Sequence, residues 1–293
     1  MENKGTKESS LTIDAVKITD VSKKYKNNLV IKNLNLTISA QARIGIVGPN
    51  GSGKTTLCEM IAQLRQPTSG TITLKENLKI GMQLQEAKYP RGTTAWDLVN
   101  YYLRTYRINK SVAEIQKLLY FLDAENLISK PINNLSGGQQ QKNNILLALI
   151  VDPDLLILDE LATGLDLEVR ERIYRLLEQE IFTKKDLAVV IVSHNMTEIE
   201  KFCQELIFML NGEIIGTYNV KEIIKKYQSV EKFVKEKFKA YKIGMYDKEV
   251  VAQKLQVITT EKWAKSWEKH LRKTKNTNPE NKNQNLKDKK NEQ

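Results

Sequence analysis

Gly48-Pro-Asn-Gly-Ser-Gly-Lys54-Thr55 sets glycines, a lysine and a hydroxyl at the G-x-x-x-x-G-K-[ST] spacing of a phosphate-cradling loop. Gly48, Gly51 and Gly53 let the backbone curl through Pro49, Asn50 and Ser52 so that its N–H groups point inward at one anion, and the following helix adds its positive dipole end. Lys54 would reach the β- and γ-phosphates. Thr55, followed by Thr56, offers a hydroxyl to Mg2+, which takes hard oxygen ligands. LLILDE, from Leu155 to Glu160, is an apolar run ending in two carboxylates. Asp159 suits a metal held through its water shell, and Glu160 suits orienting and deprotonating a water that attacks the γ-phosphate. A third segment, Leu135-Ser-Gly-Gly-Gln139, has Ser136 and Gln139 at capping-box spacing, so Ser136 starts a helix whose N–H groups, with Gly137 and Gly138, form another anion-binding end. Alone, that segment would read as an ordinary helix cap.

These residues need a strand before the loop and a helix after it. ARIGIVG, Ala42 to Gly48, is an apolar run ending in glycine, as a buried parallel strand requires, and TTLCEMIAQL reads as the helix. LLILD and LAVVIVS (Leu187 to Ser193) are similar short runs interleaved with helical stretches such as Leu167 to Ile181, which predicts an α/β domain with a parallel sheet. Upstream, LTIDAVKI and NLVIKNLNLTI, separated by polar SKKYKNN, predict a small antiparallel sheet. Thr94 to Leu122 reads as one long helical stretch inside an insertion at about 87–137. Past residue 220, Val220, Ile223, Ile224, Tyr227, Val230, Phe233 and Val234 recur at helical spacing among lysines, predicting an amphipathic helical extension over 221–272. Residues 1–10 form a polar start, and 273–293 lack the apolar content to order themselves.

The 293 residues suffice for one large domain with an appendage. With 41% hydrophobic and 28% charged residues, the composition excludes a collagen-like or wholly disordered chain. The apolar runs fall short of the roughly 20 residues that span a bilayer, and MENKGTKESS lacks the apolar stretch of a secretory signal, so a cytoplasmic chain is expected. Cys58 and Cys203 match no metal-ligand spacing and read as buried apolar residues. The net charge of +11 divides unevenly: residues 1–220 carry 26 basic against 25 acidic side chains, residues 221–293 carry 20 against 10. A neutral main domain speaks against nucleic-acid binding through the globular body. The basic end, with Trp263 and Trp267 four apart, suits an anionic membrane surface, an RNA contact or a solvated helix with no specific partner.

Together, the phosphate loop, LSGGQ, LDE and a lone His194 after a strand resemble the ATP-binding subunits of ABC transporters, over about Leu11 to Val220. The resemblance implies a P-loop NTPase (RecA-like) core with an N-terminal antiparallel β-subdomain and an inserted α-helical subdomain, binding ATP and Mg2+. It implies that Tyr25 stacks on adenine. Gln85 in IGMQLQE matches the glutamine that contacts Mg2+ and the attacking water; Gln83 is a rival, but the spacing after the strand favours Gln85. Ser136, Gly137, Gly138 and Gln139 would face the ATP held by the other protomer of a head-to-tail dimer. Asp166 in TGLD would lie in the loop crossing that interface, and His194 would hydrogen-bond the γ-phosphate. The chain departs from the family pattern with Leu161-Ala162 where Pro-Thr usually follows the glutamate, and with Lys142 where arginine is common.

Such a subunit would work at the inner face of the cell membrane through a separate multi-span partner, which the helical insertion and the Gln85 region would receive. SHNMTEIEKFCQELIFMLNGEII resembles single-domain ATPases that serve exporters, so export is the expected direction. The alternative is a soluble ABC ATPase acting on ribosomes or DNA; a single cassette without zinc modules or long coiled coils weighs against it.

Overall fold

The computed structural model describes residues 14–84 and 89–245, so Gln85, Trp263, Trp267, the polar start 1–10 and the tail 273–293 lie outside the described residues. The chain divides into two units, Met1–Lys232 and Phe233–Gln293.

The first unit holds two sheets. β1 (Asp14–Tyr25), β2 (Asn28–Ser39) and β4 (Ser69–Leu74) form an antiparallel sheet in the order β2-β1-β4. Its apolar face, with Val16, Ile18, Val21, Ile31 and Ile38 buried, joins the main core. The second sheet, in the order β5-β6-β7-β3-β8-β9, contains β3 (Arg43–Val47), β5 (Ile80–Gln83), β6 (Leu155–Asp159), β7 (Ala188–Val192), β8 (Glu205–Leu210) and β9 (Glu213–Asn219). Its strands are parallel except for the β8–β9 hairpin. Every residue of β6 and β7 is buried, as parallel strands covered on both faces must be, which is why LLILD and AVVIV read as unbroken apolar runs.

The polar SKKYKNN segment differs from the expected turn. β1 continues through Tyr25, and the hairpin turns only at Lys26 and Asn27, with Lys26 at φ 52°. One face of this sheet is open to solvent, so polar side chains continue the strand at no desolvation cost, and polarity alone mimics a turn.

Of the helices, α1 (Lys54–Ile61) buries Leu57, Cys58, Met60 and Ile61. Between β5 and the LSGGQ signature segment (residues 135–139) lie α2 (Ala95–Thr105) and α3 (Val112–Leu122), where one long helical stretch was expected. Two capping boxes, Thr94 with Asp97 and Ser111 with Glu114, start them separately. α4 (Gly137–Ile150) is buried continuously from Gln141 to Ile150, so the signature segment is anchored by a core helix. α5 (Leu167–Leu176) continues into one π-turn, Leu177–Ile181, and α6 (Met196–Phe202) follows β7. α7 (Val220–Tyr227) ends with Gln228 in the left-handed conformation, which interrupts the amphipathic helix expected to run on. α8 (Val230–Met245) carries the unit boundary, and the described part of the second unit is helical. Both cysteines are buried, and no helix among the described residues is long and apolar enough to cross a membrane.

Candidate functional site

Adjacent parallel strands deliver the polar residues to one edge of the second sheet, the carboxyl ends where open α/β sheets bind ligands. The phosphate loop follows β3, Asp159 ends β6 with Glu160 directly after it, and His194 follows β7. A cleft of about 450 Å³ opens there. Asn28 and Val30 of β2 form one wall, Asn50, Gly51 and Gly53 the floor, and Lys54, Thr55, Thr56, Asp159 and Glu160 the rest.

The loop owes its shape to steric necessity at Gly53. Its φ of 98° belongs to the left-handed region, and a Cβ there would lie 2.5 Å from Ile31 Cδ1. β2 therefore packs directly on the loop backbone at the start of α1. Lys54 Nζ donates to the carbonyls of Gly48 (3.0 Å) and Pro49 (3.1 Å), which holds the ammonium inside the curl. Burial lowers the Lys54 pKa, and the charges of Asp159 and Glu160 pull it back up. Asp159 is 1% exposed and neither carboxylate oxygen has a hydrogen-bond partner. Its pKa is raised by burial and by the neighbouring Glu160 charge; the Thr55 hydroxyl and the Lys54 ammonium oppose the rise. Buried carboxylates without partners are expensive unless a cation completes them.

Glu160 sits at φ 57°, a conformation that costs a non-glycine residue roughly 1–2 kcal/mol. Several bonds hold it there. Its N–H donates to Val192 O (2.8 Å), and Gln141 Nε2 donates to the carbonyls of Glu160 (3.0 Å) and Leu161 (3.2 Å). Leu161, the departure from Pro, is fully buried and anchors the next residue. Thr163 Oγ1 donates to Glu160 Oε2 (3.2 Å), and His194 Nε2 lies 3.5 Å from Glu160 Oε1. The structure thus brings together Lys54, Thr55, Asp159, Glu160 and His194.

Other expected residues stand outside the cleft. Ser136 caps α4, with Gln139 N–H donating to its Oγ (3.4 Å) and Ser136 N–H to Gln139 Oε1 (3.1 Å). Gly138 lies against Gly164 of the TGLD loop, where a Cβ would meet the Gly164 carbonyl oxygen at 2.5 Å. Asp166 caps α5 by accepting from Val169 N–H (2.9 Å), a bond that also lowers its pKa. Tyr25 ends β1 beside the cleft wall rather than in it, with the cations of Lys23 and Arg65 at 5.3 and 5.7 Å from its ring centre. Gln83 is buried and spends its amide on Asp159 O (3.0 Å), which ties β5 to β6; Gln85 lies outside the described residues. Lys142 bonds Asp123 through both its carboxylate (2.8 Å) and its carbonyl (3.1 Å), so lysine fastens α4 to the end of α3. Sequence reasoning missed Gln141, Thr163 and the wall residues Asn28 and Val30. Of these only Thr163, three residues after Glu160, carried a local signal.

Comparison with known proteins agrees with this geometry. The family model described as ABC transporter matches residues 31–163. Among curated relatives, a zinc import ATP-binding protein of Rickettsia bellii is 35% identical over 202 residues, covering 69% of this chain and 85% of that protein. A Nod factor export ATP-binding protein of Sinorhizobium fredii is 32% identical over 213 residues, covering 69% and 62%. Among solved structures, a dimeric ATP-binding cassette in a post-hydrolysis state with ADP and Pi is 28% identical, covers 70% of this chain and 98% of that one, and superposes with a TM-score of 0.60. A phosphate loop, an acid pair and a histidine on one sheet edge, beside a glycine-rich capped helix, occur here on a chain that matches such proteins over its whole cassette: it belongs to the ATP-binding subunits of ABC transporters, dimeric ATPases that energise transport through a membrane-spanning partner.

Proposed function

We propose that the cleft binds ATP with Mg2+ and hydrolyses it at an interface between two copies of the chain, driving export through a separate multi-span membrane subunit. The observation that carries this reading is Asp159, a buried carboxylate without a hydrogen-bond partner, standing near Lys54 and the Thr55 hydroxyl at the mouth of a phosphate loop. Those hard oxygen donors fit Mg2+, which takes one or two carboxylates plus phosphate and water oxygens. Gln85 is a further proposed ligand. Bound there, the ion would neutralise charge on the β- and γ-phosphate oxygens.

The chain's own residues do the rest. The loop N–H groups from Gly48 to Gly53 cradle the phosphates, with Thr56 beside them, and Lys54 transfers its hydrogen bonds from the loop carbonyls to the β- and γ-phosphates. Glu160 accepts a proton from the attacking water, and His194 donates to a γ-phosphate oxygen. Tyr25 stacks on adenine from the cleft edge. Ser136, Gly137, Gly138 and Gln139 close on the nucleotide of the second copy, with Asp166 between the two. The open and closed dimers form the two-state element that ATP biases, because a ligand shifts an equilibrium only by its differential affinity for the states.

The Nod factor export relatives support export. The 35% identity to a zinc import protein favours import as the second reading. Under either reading the chain works at the cytoplasmic face of a membrane and offers the insertion between β5 and α4 to the partner. Affinity purification from detergent-solubilised membranes tests the assignment. A stoichiometric multi-span protein that stimulates the ATPase supports transport, and an accompanying solute-binding protein converts export to import. Co-purification of ribosomal or DNA-bound factors that survives high salt replaces transport with the soluble alternative.

A further inference from the structure

Beneath the turn that carries His194 lies a buried carboxylate with no part in the chemistry described above. Glu198, on α6, is 1% exposed and does not line the nucleotide cleft. Its Oε1 accepts from the Tyr174 hydroxyl (2.5 Å) and its Oε2 from the Ser193 hydroxyl (2.6 Å). Ser193 Oγ in turn accepts from the N–H of Asn195 (2.9 Å), and Asn195 Oδ1 accepts from Thr197 N–H (3.1 Å) at the start of α6. Both neighbours of His194 are therefore tied to one carboxylate, while His194 projects from between them and is half exposed.

We propose that Glu198 is a positioning residue for hydrolysis, clamping the Ser193–Asn195 turn between α5 and α6 so that the His194 imidazole is held toward Glu160 and the γ-phosphate. This rests on the reading of His194 given above. The bonds have a fixed direction. The single Ser193 hydroxyl proton goes to Glu198, which leaves its oxygen lone pairs for Asn195, and the Tyr174 proton also goes to Glu198. A carboxylate accepts from both hydroxyls, and an amide in its place could still accept from Ser193 while donating to the Tyr174 oxygen. Burying such a polar group is costly unless it is hydrogen-bonded, and these two donors meet that requirement. Arg170 lines the same 330 Å³ cavity as Ser193, His194 and Glu198. Tyr174 is itself locked, 5% exposed and packed edge-on against Phe202 at 5.1 Å, so the clamp is referred to the core rather than to a mobile loop.

Steady-state ATPase kinetics on the full-length protein test this with Glu198→Ala, Glu198→Gln, Ser193→Ala and His194→Ala. Misplacing a catalytic group by about 1 Å costs up to about a hundredfold, so kcat is expected to fall at least about tenfold in Glu198→Ala and Ser193→Ala. KM for ATP should stay within about twofold, because the phosphate-loop contacts are untouched. Glu198→Gln keeps the acceptor toward Ser193 and should recover most of kcat. Combining Ser193→Ala with Glu198→Ala should be no worse than Glu198→Ala alone, since both act through one turn. Ser193→Ala, the loss of a single oxygen, carries the test if Glu198→Ala does not fold. A kcat within about twofold of wild type in Ser193→Ala and in the folded Glu198 variants, with His194→Ala inactive, overturns the proposal alone. Full activity in His194→Ala overturns the reading of His194 and this inference with it.

Discussion

His194 Nε2 and Glu160 Oε1 lie 3.5 Å apart, on turns that follow the adjacent strands β7 and β6. The pairing is a consequence of register. Asp159 is opposite Val192 in the parallel ladder, and the Glu160 N–H continues that ladder to the Val192 carbonyl, so the two residues that leave the sheet there emerge side by side. Two rigid strands thus bring the proposed proton acceptor and the proposed hydrogen-bond donor to the γ-phosphate side by side.

Glu160→Gln is expected to reduce ATP hydrolysis at least about a hundredfold while leaving ATP affinity within a few fold, because only the proton acceptor is removed. Stopped turnover with retained binding, measured by isothermal titration and phosphate release, checks this. Glu160→Gly should abolish turnover as well, yet its melting temperature should not fall. At φ 57° glycine escapes a penalty of roughly 1 kcal/mol that any L side chain pays.

Asp159→Asn separates fold from function. Burial raises the Asp159 pKa above its unfolded value, so the folded protein holds this proton more tightly than the unfolded chain. Stability contributed by the protonated group is therefore lost as pH rises through the folded pKa, and at neutral pH the ionised group destabilises the apo fold. Removing the charge should raise the melting temperature at pH 7. That gain should shrink as pH falls toward about 4, where the unfolded chain is protonated too. Stabilisation by Mg2+ and ATP should disappear in the same variant. A melting temperature that drops at pH 7 without nucleotide would contradict the desolvation argument.

The parts of the site that were legible in the sequence are those whose residues are contiguous. The phosphate loop, LLILDE and the Ser136 cap each combine an element boundary with its chemistry in fewer than ten residues, and all three stand at the element boundaries that motif spacing and apolar runs predicted. The contacts that fix Glu160 and His194 were not legible. Gln141 reaches Glu160 from 19 residues away, and Tyr174 reaches Glu198 from 24. Such pairs follow from how α4, α5 and α6 pack, and a single sequence does not encode that as a local pattern. Asp166 shows the converse problem. Its spacing with Val169 is that of an N-cap, a role visible locally, and the carboxylate is engaged in it.

Lys142 tests whether a departure from the family pattern is functional or merely tolerated. Its ammonium holds the carboxylate and carbonyl of Asp123, the left-handed residue that ends α3, and Arg172 of α5 approaches the same carboxylate at 3.6 Å. Asp123 joins α3, α4 and α5. Lys142→Ala should cost about 1 kcal/mol, the upper end for an exposed ion pair and below the usual range of a charged hydrogen bond, because Asp123 is half exposed. Lys142→Arg should be within about 0.5 kcal/mol of wild type. Chemical denaturation distinguishes these values, and a destabilising Arg would mean that the pocket was built for the shorter ammonium.

Gly138→Ala addresses the contact between the signature helix and the TGLD loop. A methyl at this position would lie 2.5 Å from the Gly164 carbonyl oxygen, a backbone atom that cannot rotate away. Gly164 itself sits at φ 75°, so the loop has few other conformations available without loss of its turn. The methyl must therefore push the loop outward, carrying Ala162 to Asp166 with it, at a cost of about 1–3 kcal/mol for overpacking. Because the same loop continues from Leu161 and Glu160, the displacement should reach the catalytic side of the cleft within its own protomer. Hydrolysis is expected to fall by more than about tenfold, the scale on which positioning errors act. ATP affinity of the monomer, which the proposed reading assigns to Lys54 and Thr55, should not change. In a Glu160→Gln background, gel filtration with ATP should show wild-type-like dimer lost on adding Gly138→Ala. Dimer formation at the original nucleotide concentration would mean that the loop yields without cost, and that Gly138 is glycine for some reason other than its contact with Gly164.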